Sequence, residues 1–312
     1  MSEKSRTKEI LGRWSCALMG CMLILSVLSL SGCQKKADGY SMGLGVFLKE
    51  SADSLSMDAT AAAVILDSDG RIVDCRIDRS SVSAKLDGSK VTATGADKTG
   101  YELGKELTVG NGKYFYEGAS FFEGYVKGRS LSDIEALERA SLTESLDTEL
   151  VAGCGTDPSG FIGALKRAMI SERKASLSPS EELKVGLGID ASVKGDGEGV
   201  TFVYGIGAVA VSDGKVSASV IDAAEAEITL EGGVGKELIY AGTKLELGDV
   251  YGMVKNGGAA AEWYVQSANF AKTAKGKSSD SLSSLPVENV SGCTIDARPL
   301  KSSLIRAKEN TR

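Results

Sequence analysis

The sequence contains no histidine, and only 4 of its 312 residues are proline. Histidine is the usual general base near neutral pH and a member of the Ser/His/Asp and Cys/His catalytic groups. Its absence excludes those groups and zinc sites built on imidazole. A hydrolase would have to use lysine or carboxylate bases, so conventional hydrolytic or metal-dependent catalysis explains this chain poorly.

Cysteine is also sparse, and its positions exclude several kinds of site. No pair has the CxxC spacing of a redox dithiol or metal site. Two cysteines lie in the first 32 residues, and one follows directly. The remaining three cannot form a complete disulfide framework, although two of them could form one disulfide in an oxidising compartment. If no disulfide forms, we expect these three cysteines to be small buried residues. The six are Cys16, Cys21, Cys33, Cys75, Cys154 and Cys293.

The first 32 residues have the order of an export signal. Four basic residues between positions 4 and 13 precede an apolar run over 17–30, and Leu30-Ser31-Gly32-Cys33 follows. The run is short for a permanent membrane span. Its last four residues resemble the lipobox of bacterial lipoproteins, in which a leucine lies three positions before an obligatory cysteine. The resemblance implies cleavage after residue 32 and lipidation of Cys33; the alternatives are a signal peptide cut elsewhere or a signal anchor.

These features predict a location. Residues 1–32 are the expected signal peptide, and 33–40 are the expected lipidated cysteine and tether. Acyl chains bind a bilayer with about 0.8 kcal/mol per buried CH₂, so membrane lipid is the expected partner of Cys33. We expect the protein on the extracytoplasmic face, periplasmic or at the cell surface. Without residues 1–32 the chain has 32 basic and 40 acidic residues, a net charge of −8, which argues against nucleic-acid partners.

Several segments recur about 140 residues apart in the same order. Met42-Gly-Leu-Gly-Val46 returns as Val185-Gly-Leu-Gly-Ile189, and a β-rich run around Asp69-Gly70 returns around Asp213-Gly214. Ordered self-similarity of this kind indicates a repeated structural unit. We predict two tandem copies of one domain, over 41–170 and 184–312, joined by a polar linker at 171–183.

Each copy is predicted to be α+β, an antiparallel sheet with helices. Asp-Gly between two β-rich runs predicts a hairpin. Aromatic residues at helical spacing over 116–126 and 262–274 predict helices, and so do the closing segments 158–169 and 299–308. Ser130 with Asp133 has the spacing of a capping box that begins another helix. We also expect Asp222 to be a solvated turn carboxylate, and Trp263, Tyr264 and Phe270 to pack in a core.

The end of the second copy carries Val290-Ser291-Gly292-Cys293-Thr294-Ile295-Asp296. This resembles the flavin-attachment motif of the FMN-binding domain family, Ser/Thr-Gly-Ala-Thr followed by another Ser or Thr. Ser291 and Gly292 match, Cys293 replaces the alanine, and Thr294 falls on the acceptor position; Asp296 stands where the second Ser or Thr is common. Small residues let a phosphate approach, and the N–H groups of a following helix favour an anion.

The resemblance implies FMN held by a phosphoester on Thr294, made by a dedicated flavin transferase. It implies a role in extracytoplasmic electron transport, with a membrane reductase as partner. The first copy reads Ala152-Gly-Cys-Gly-Thr-Asp157 and has Gly155 at the acceptor position, so attachment there is not expected. The alternative is a non-enzymatic lipoprotein whose degenerate domains bind a ligand or a partner, which the absence of histidine also favours.

Overall fold

The computed structural model describes residues 39–51, 55–88, 90–178, 182–196 and 198–312. The expected signal peptide, Cys33 and the tether as far as residue 38 lie outside the described residues. Residues 39–312 form one compact unit. Within the described ranges, none of the helices has the length and hydropathy needed to cross a membrane.

In the described part of the chain, nine strands form two antiparallel sheets. The first sheet has the order β4-β3-β2-β1-β5 and the second has the order β6-β7-β8-β9. The strands are β1 (Tyr40–Ser51), β2 (Ser56–Leu66), β3 (Ile72–Asp87), β4 (Lys90–Thr94), β5 (Ala175–Leu177), β6 (Lys184–Gly195), β7 (Gly199–Ser212), β8 (Lys215–Glu231) and β9 (Val234–Ile239). Because β5 pairs with β1, the segment predicted as a linker is partly a strand of the first sheet.

Helices follow the strands in both parts of the chain. Those after the first sheet are α1 (Gly100–Leu103), α2 (Phe115–Val126), α3 (Leu131–Leu142), α4 (Thr148–Cys154) and α5 (Ser159–Ile170). Those after the second are α6 (Lys244–Leu247), α7 (Met253–Gly257), α8 (Trp263–Lys272), α9 (Ser279–Ser283) and α10 (Arg298–Glu309). Short 3-10 turns cover Gly104–Glu106, Gly110–Gly112 and Gly248–Tyr251. The α+β class is therefore confirmed. We call residues 40–170 the first half and 184–312 the second half.

Alternating residues of β2 show how the layers are stacked. Ala61, Ala63 and Ile65 belong to the core that joins the two sheets. Ala62 and Val64 point the other way, into the core beneath the helices of the first half. Successive strand residues face opposite sides, so both faces of this sheet are buried. The two sheets pack on each other, α5 covers β1 and β2, and α10 covers β6 and β7.

The recurring Gly-Leu-Gly segments provide close contact between strand and helix. A Cβ on Gly45 would lie 2.2 Å from the Ala168 backbone nitrogen of α5, and one on Gly188 would lie 2.4 Å from the Ala307 nitrogen of α10. Any larger residue would push the helix away from the sheet. The sequence pattern therefore reflects packing.

The local predictions on turns and helices are confirmed. Asp213 and Gly214 have φ of 51° and 71°, as a two-residue hairpin turn requires, and Gly70 has φ of 75°. The Asp133 carboxylate accepts hydrogen bonds from the backbone N–H and the hydroxyl of Ser130 at the start of α3.

Two ion pairs connect the halves reciprocally. Arg167 of α5 donates to Glu246 of α6 at 2.6 Å, and Arg306 of α10 donates to Glu102 of α1 at 2.7 Å. Each arginine lies on the last helix of one half, and each glutamate lies on the first helix of the other. This exchange of equivalent contacts is the pattern of a two-fold related interface.

Candidate functional site around Thr294

Residues 288–297 connect α9 to α10 and lie against α8. Asn289 and Gly292 have φ of 59° and 71°, and the Cys293 N–H donates to the Val290 carbonyl at 3.0 Å. The segment is therefore a sequence of tight turns. Ser291, Gly292 and Thr294 are exposed, whereas Cys293 is half-buried.

The side chain of Gln266 fixes the position of Thr294. Its Oε1 accepts hydrogen bonds from the Thr294 backbone N–H at 2.7 Å and from the Thr294 hydroxyl at 2.9 Å. Its Nε2 donates to the Ala261 carbonyl, and the residue is 2% exposed. Asn269, one turn further along α8, donates to the Gly292 carbonyl at 3.2 Å. The motif gave no signal for these two residues, because they precede it by more than 20 positions.

Cys293 and Thr294 contribute to a groove of about 800 Å³, whose wall also contains Glu288, Asp296 and Arg298. Ser291 and Gly292 lie in the turn before it. A neighbouring cavity of about 400 Å³ shares Ile295 and Asp296 with the groove and reaches aromatic side chains, Tyr251 and Trp263 among them. The predicted motif residues thus lie together at the edge of a space that extends towards aromatic rings.

Asp296 occupies the N-terminus of α10. Its Oδ1 accepts the Arg298 backbone N–H at 3.0 Å, and its Oδ2 pairs with the Arg298 guanidinium at 2.7 Å. Hydrogen bonds from the Arg298 side chain and backbone lower the pKa of this carboxyl. The Asp296 carboxylate already accepts the Arg298 N–H and Pro299 has no N–H to donate, so the start of α10 offers a phosphate fewer donors than the sequence predicted.

FMN fits this site in part. The Thr294 residue is exposed, the groove is roomy, and the Arg298 guanidinium lies in its wall to offset a phosphate charge. Glu288 and Asp296 in the same wall oppose that charge. Attachment at Thr294 is thus sterically open, and Arg298, in place of the helix N-terminus, would hold the anion.

The corresponding segment of the first half has a different structure. There Cys154 ends helix α4 and is fully buried, and Gly155 caps that helix with φ of 68°. A Cβ on Gly118 of α2 would lie 2.0 Å from the Cys154 carbonyl oxygen. Gln266 takes the place of Gly118 in the second half, so its side chain prevents the same approach and binds Thr294 instead.

The three cysteines of the described residues are free. Burial raises the pKa of the Cys75 and Cys293 thiols, and it raises the pKa of Cys154 to about 12. Thiols of this kind are mostly protonated near neutral pH and are poor nucleophiles. Cys75 and Cys154 are small buried packing residues, as the sequence predicted, whereas Cys293 is half-buried and lies in the wall of the groove.

Two buried aspartates occupy matching places, and the expectation that Asp222 is solvated is wrong. Its Oδ1 accepts the backbone N–H groups of Ala223 and Leu245, and the residue is 2% exposed. In the first half, Asp78 accepts the N–H groups of Arg79 and Tyr101. Burial raises the pKa of Asp222 to about 7 and that of Asp78 to about 6. Each aspartate anchors a short helix, α6 or α1, to its sheet.

The predicted aromatic stripe divides between two environments. Trp263 and Phe270 are buried in the core between sheet and helix, as expected. Tyr264 is half-buried instead, and the Arg173 guanidinium lies 4.1 Å from its ring centre. Within the residues that the structure describes, no cluster of three or more acidic or cysteine side chains is arranged to bind a metal.

No family model matches the chain, and no curated protein or solved structure is significantly similar to it.

Proposed function

We propose that the protein is a lipid-anchored extracytoplasmic lipoprotein, cut before Cys33 and acylated there, that contains two tandem FMN-binding-like domains. The second domain carries FMN on Thr294 and serves electron transfer with a membrane reductase. The observation that carries the flavin assignment is the exposed Thr294 at the edge of a large groove.

The proposal of a duplicated domain is supported by matched contacts in the two halves. The Cys75 thiol and the Ser219 hydroxyl each donate to a helix carbonyl, of Glu123 and Ala271 respectively. The order of four strands followed by helices also recurs. The halves are not separate bodies, since they share the core between the sheets. Duplication would give an intramolecular dimer related by a pseudo-two-fold axis.

In this proposal the chain contributes binding and orientation. Bound FMN supplies one- and two-electron transfer, and the protein tunes it. Thr294 holds the phosphoester and Gln266 keeps the threonine backbone in place by accepting its N–H. Arg298 offsets the phosphate charge, and the acyl anchor at Cys33 keeps the domain near a membrane reductase.

A second candidate is a non-enzymatic lipoprotein whose domains bind a ligand or a partner without flavin. The specific observation in its favour is the Asp296 carboxylate, which caps α10 where the family has a Ser or Thr. It places a negative charge beside the proposed phosphate.

The test is to co-express the full chain with a flavin transferase and to purify it from detergent-solubilised membranes. Intact mass and in-gel fluorescence should show one covalent FMN. Thr294→Val should remove it, and Thr156→Val, which changes the threonine next to the acceptor position of the first half, should leave it. The absence of an adduct, or an adduct that persists in Thr294→Val, would show that the protein does not carry FMN on Thr294. The non-enzymatic lipoprotein would then be the better explanation.

A further inference from the structure

A second cavity, of about 410 Å³, lies on the other side of α8 from the Thr294 groove and has an unusual charge. Among the residues that the structure describes, its wall contains four cationic side chains and no carboxylate: Arg173, Lys174, Lys272 and Lys275. The floor between them is largely apolar, with Val220, Ile221 and Leu245. A cavity whose charged side chains are all cationic is unexpected in a chain with a net charge of −6.

These cations have no anionic partner within the described ranges of the chain. Lys174 donates to the Ser171 carbonyl and Lys272 donates to the Asn269 side chain, which are neutral acceptors. The Nε of Arg173 is buried and has no hydrogen-bond partner among the residues that the structure describes. Burial lowers the pKa of Lys174. Arg173 and Lys174 are half-buried and Lys272 and Lys275 are exposed, so a cluster of positive charge without a carboxylate partner lies around a cavity that a ligand can reach.

In the first half, side chains of the protein fill the corresponding space. There Asp74, Arg76 and Glu123 form a buried ion cluster. Lys127 pairs with Asp74 at 2.8 Å, and Arg312 pairs with Glu123 at 2.8 Å. In that half, the carboxylates belong to the protein, and each of the three cations has at least one carboxylate partner.

The positions correspond one by one, as two sets of hydrogen bonds establish. Ile72 exchanges backbone hydrogen bonds with Gly128 and Arg129, and Val216 exchanges the same bonds with Gly276 and Lys277. The matching thiol and hydroxyl contacts of β3 and β8 fix the same register. In this register, Asp74 corresponds to Ala218, Arg76 to Val220, Glu123 to Ala271 and Lys127 to Lys275. Arg312 corresponds to Arg173, because each lies six positions after the arginine of the reciprocal ion pairs, Arg306 or Arg167.

The second half therefore lacks both carboxylates and the central arginine, but it has the other two cations of the cluster, as Lys275 and Arg173. Ala218 and Ala271 leave space where Asp74 and Glu123 stand in the first half, and both alanines line the cavity. Lys272 adds a further positive charge where the first half has Gly124. The result is an open cavity with cationic side chains, at the place where the first half has a buried cluster of ion pairs.

We propose that this cavity binds a small organic dicarboxylate, whose two carboxylates take the places of the missing Asp74 and Glu123 side chains. In the first half both carboxylates reach the same nitrogen of Arg76, at 3.2 and 3.6 Å, so the two anionic groups lie close together. Val220 replaces that arginine, which suits an apolar body between the two ends. Arginine and lysine bind carboxylates through charge-assisted hydrogen bonds.

The test is calorimetric titration of the full-length protein in detergent with succinate, glutarate and adipate, and with inorganic phosphate. We expect at least one dicarboxylate to bind more tightly than phosphate. The double variant Arg173→Met/Lys275→Met should bind it about 100-fold more weakly, since each charged contact is worth about tenfold. Lys255→Met, which removes an exposed cation elsewhere, should leave the affinity unchanged.

A second variant tests whether carboxylate side chains at positions 218 and 271 can replace the bound dicarboxylate. Ala218→Asp/Ala271→Glu restores the carboxylates of the first half and should abolish dicarboxylate binding while the protein stays folded by circular dichroism. If no dicarboxylate binds the wild type, if phosphate binds as tightly as any of them, or if this variant binds as well as the wild type, the proposal is wrong. Thr294→Val should bind normally, which separates this result from the fate of the flavin proposal.

Discussion

The two halves of the chain follow the same order of elements but fill one corresponding space in opposite ways. In the first half, Glu123 lies between two arginines and is 5% exposed. In the second half its place is taken by Ala271, and a cavity opens beside cations that have no carboxylate partner in the described part of the chain. The hairpin turns, the strand glycines and the buried aspartates are retained in both. Features that maintain the fold are thus shared, whereas this one space differs in charge and in volume.

The largest expected effect comes from breaking the closed cluster. Glu123→Ala removes the carboxylate that pairs with Arg76 and Arg312 and that accepts the Ile77 backbone N–H. Removing one partner of a buried ion pair leaves charge uncompensated, which costs about 3–5 kcal/mol. Urea denaturation should show a loss of this size in the free energy of unfolding.

Glu172→Ala is the matched control, because this glutamate is exposed and makes no ion pair within the described residues. Its effect should stay within about 0.5 kcal/mol. An equally small effect for Glu123→Ala would mean that the first-half cluster is not a tightly coupled unit, and the comparison with the second-half cavity would lose its basis.

A slightly smaller effect is expected on the free energy of unfolding when the pH is raised. Asp222 of the second half should contribute more to it than Asp78 of the first half. Burial raises the pKa of Asp222 from 3.8 to about 7 and that of Asp78 from 3.8 to about 6. The folded protein then retains protons that the unfolded chain has lost above about pH 4, so each aspartate's contribution to stability falls as pH rises through its folded pKa. At 1.36 kcal/mol per unit, the losses are about 4 and about 3 kcal/mol.

Asparagine at either position keeps an oxygen acceptor but does not titrate. Relative to the wild type, Asp222→Asn should therefore gain unfolding free energy between pH 4 and pH 8, and Asp78→Asn should gain less. Urea titrations at both pH values measure the difference. A wild-type profile that runs parallel to both variants would show that these carboxyls titrate normally in the folded state.

The sequence predicted the features that depend on neighbours along the chain. The hairpin at Asp213-Gly214 and the helix that begins after Ser130 follow from local backbone and capping preferences. The role of Gln266 was missed because it arises between residues 28 positions apart. Asp222 was expected at the surface for the same reason, since its N–H donor Leu245 lies on a later helix. Contacts made by the fold decide both cases.

The smallest expected effect tests whether the reciprocal ion pairs between the halves are equivalent. The side chains of Arg306 and Glu102 are 22% and 21% exposed, whereas those of Arg167 and Glu246 are 38% and 35% exposed. Arg306 also donates to the Asp97 carbonyl at 2.9 Å. Water and salt screen the more exposed pair more strongly. We therefore expect Arg306→Met to cost about 1–2 kcal/mol and Arg167→Met less than about 1 kcal/mol.

Both replacements keep an apolar side chain of similar length and leave the capping role of the partner glutamate intact, so the difference between them reports the ion pairs. Urea denaturation at low salt and in 1 M NaCl measures it. Added salt should reduce the cost of Arg167→Met to near zero and leave most of the cost of Arg306→Met. The reverse order would show that the interface between the halves is held more firmly on the α5 side, opposite to the burial of its ion pairs.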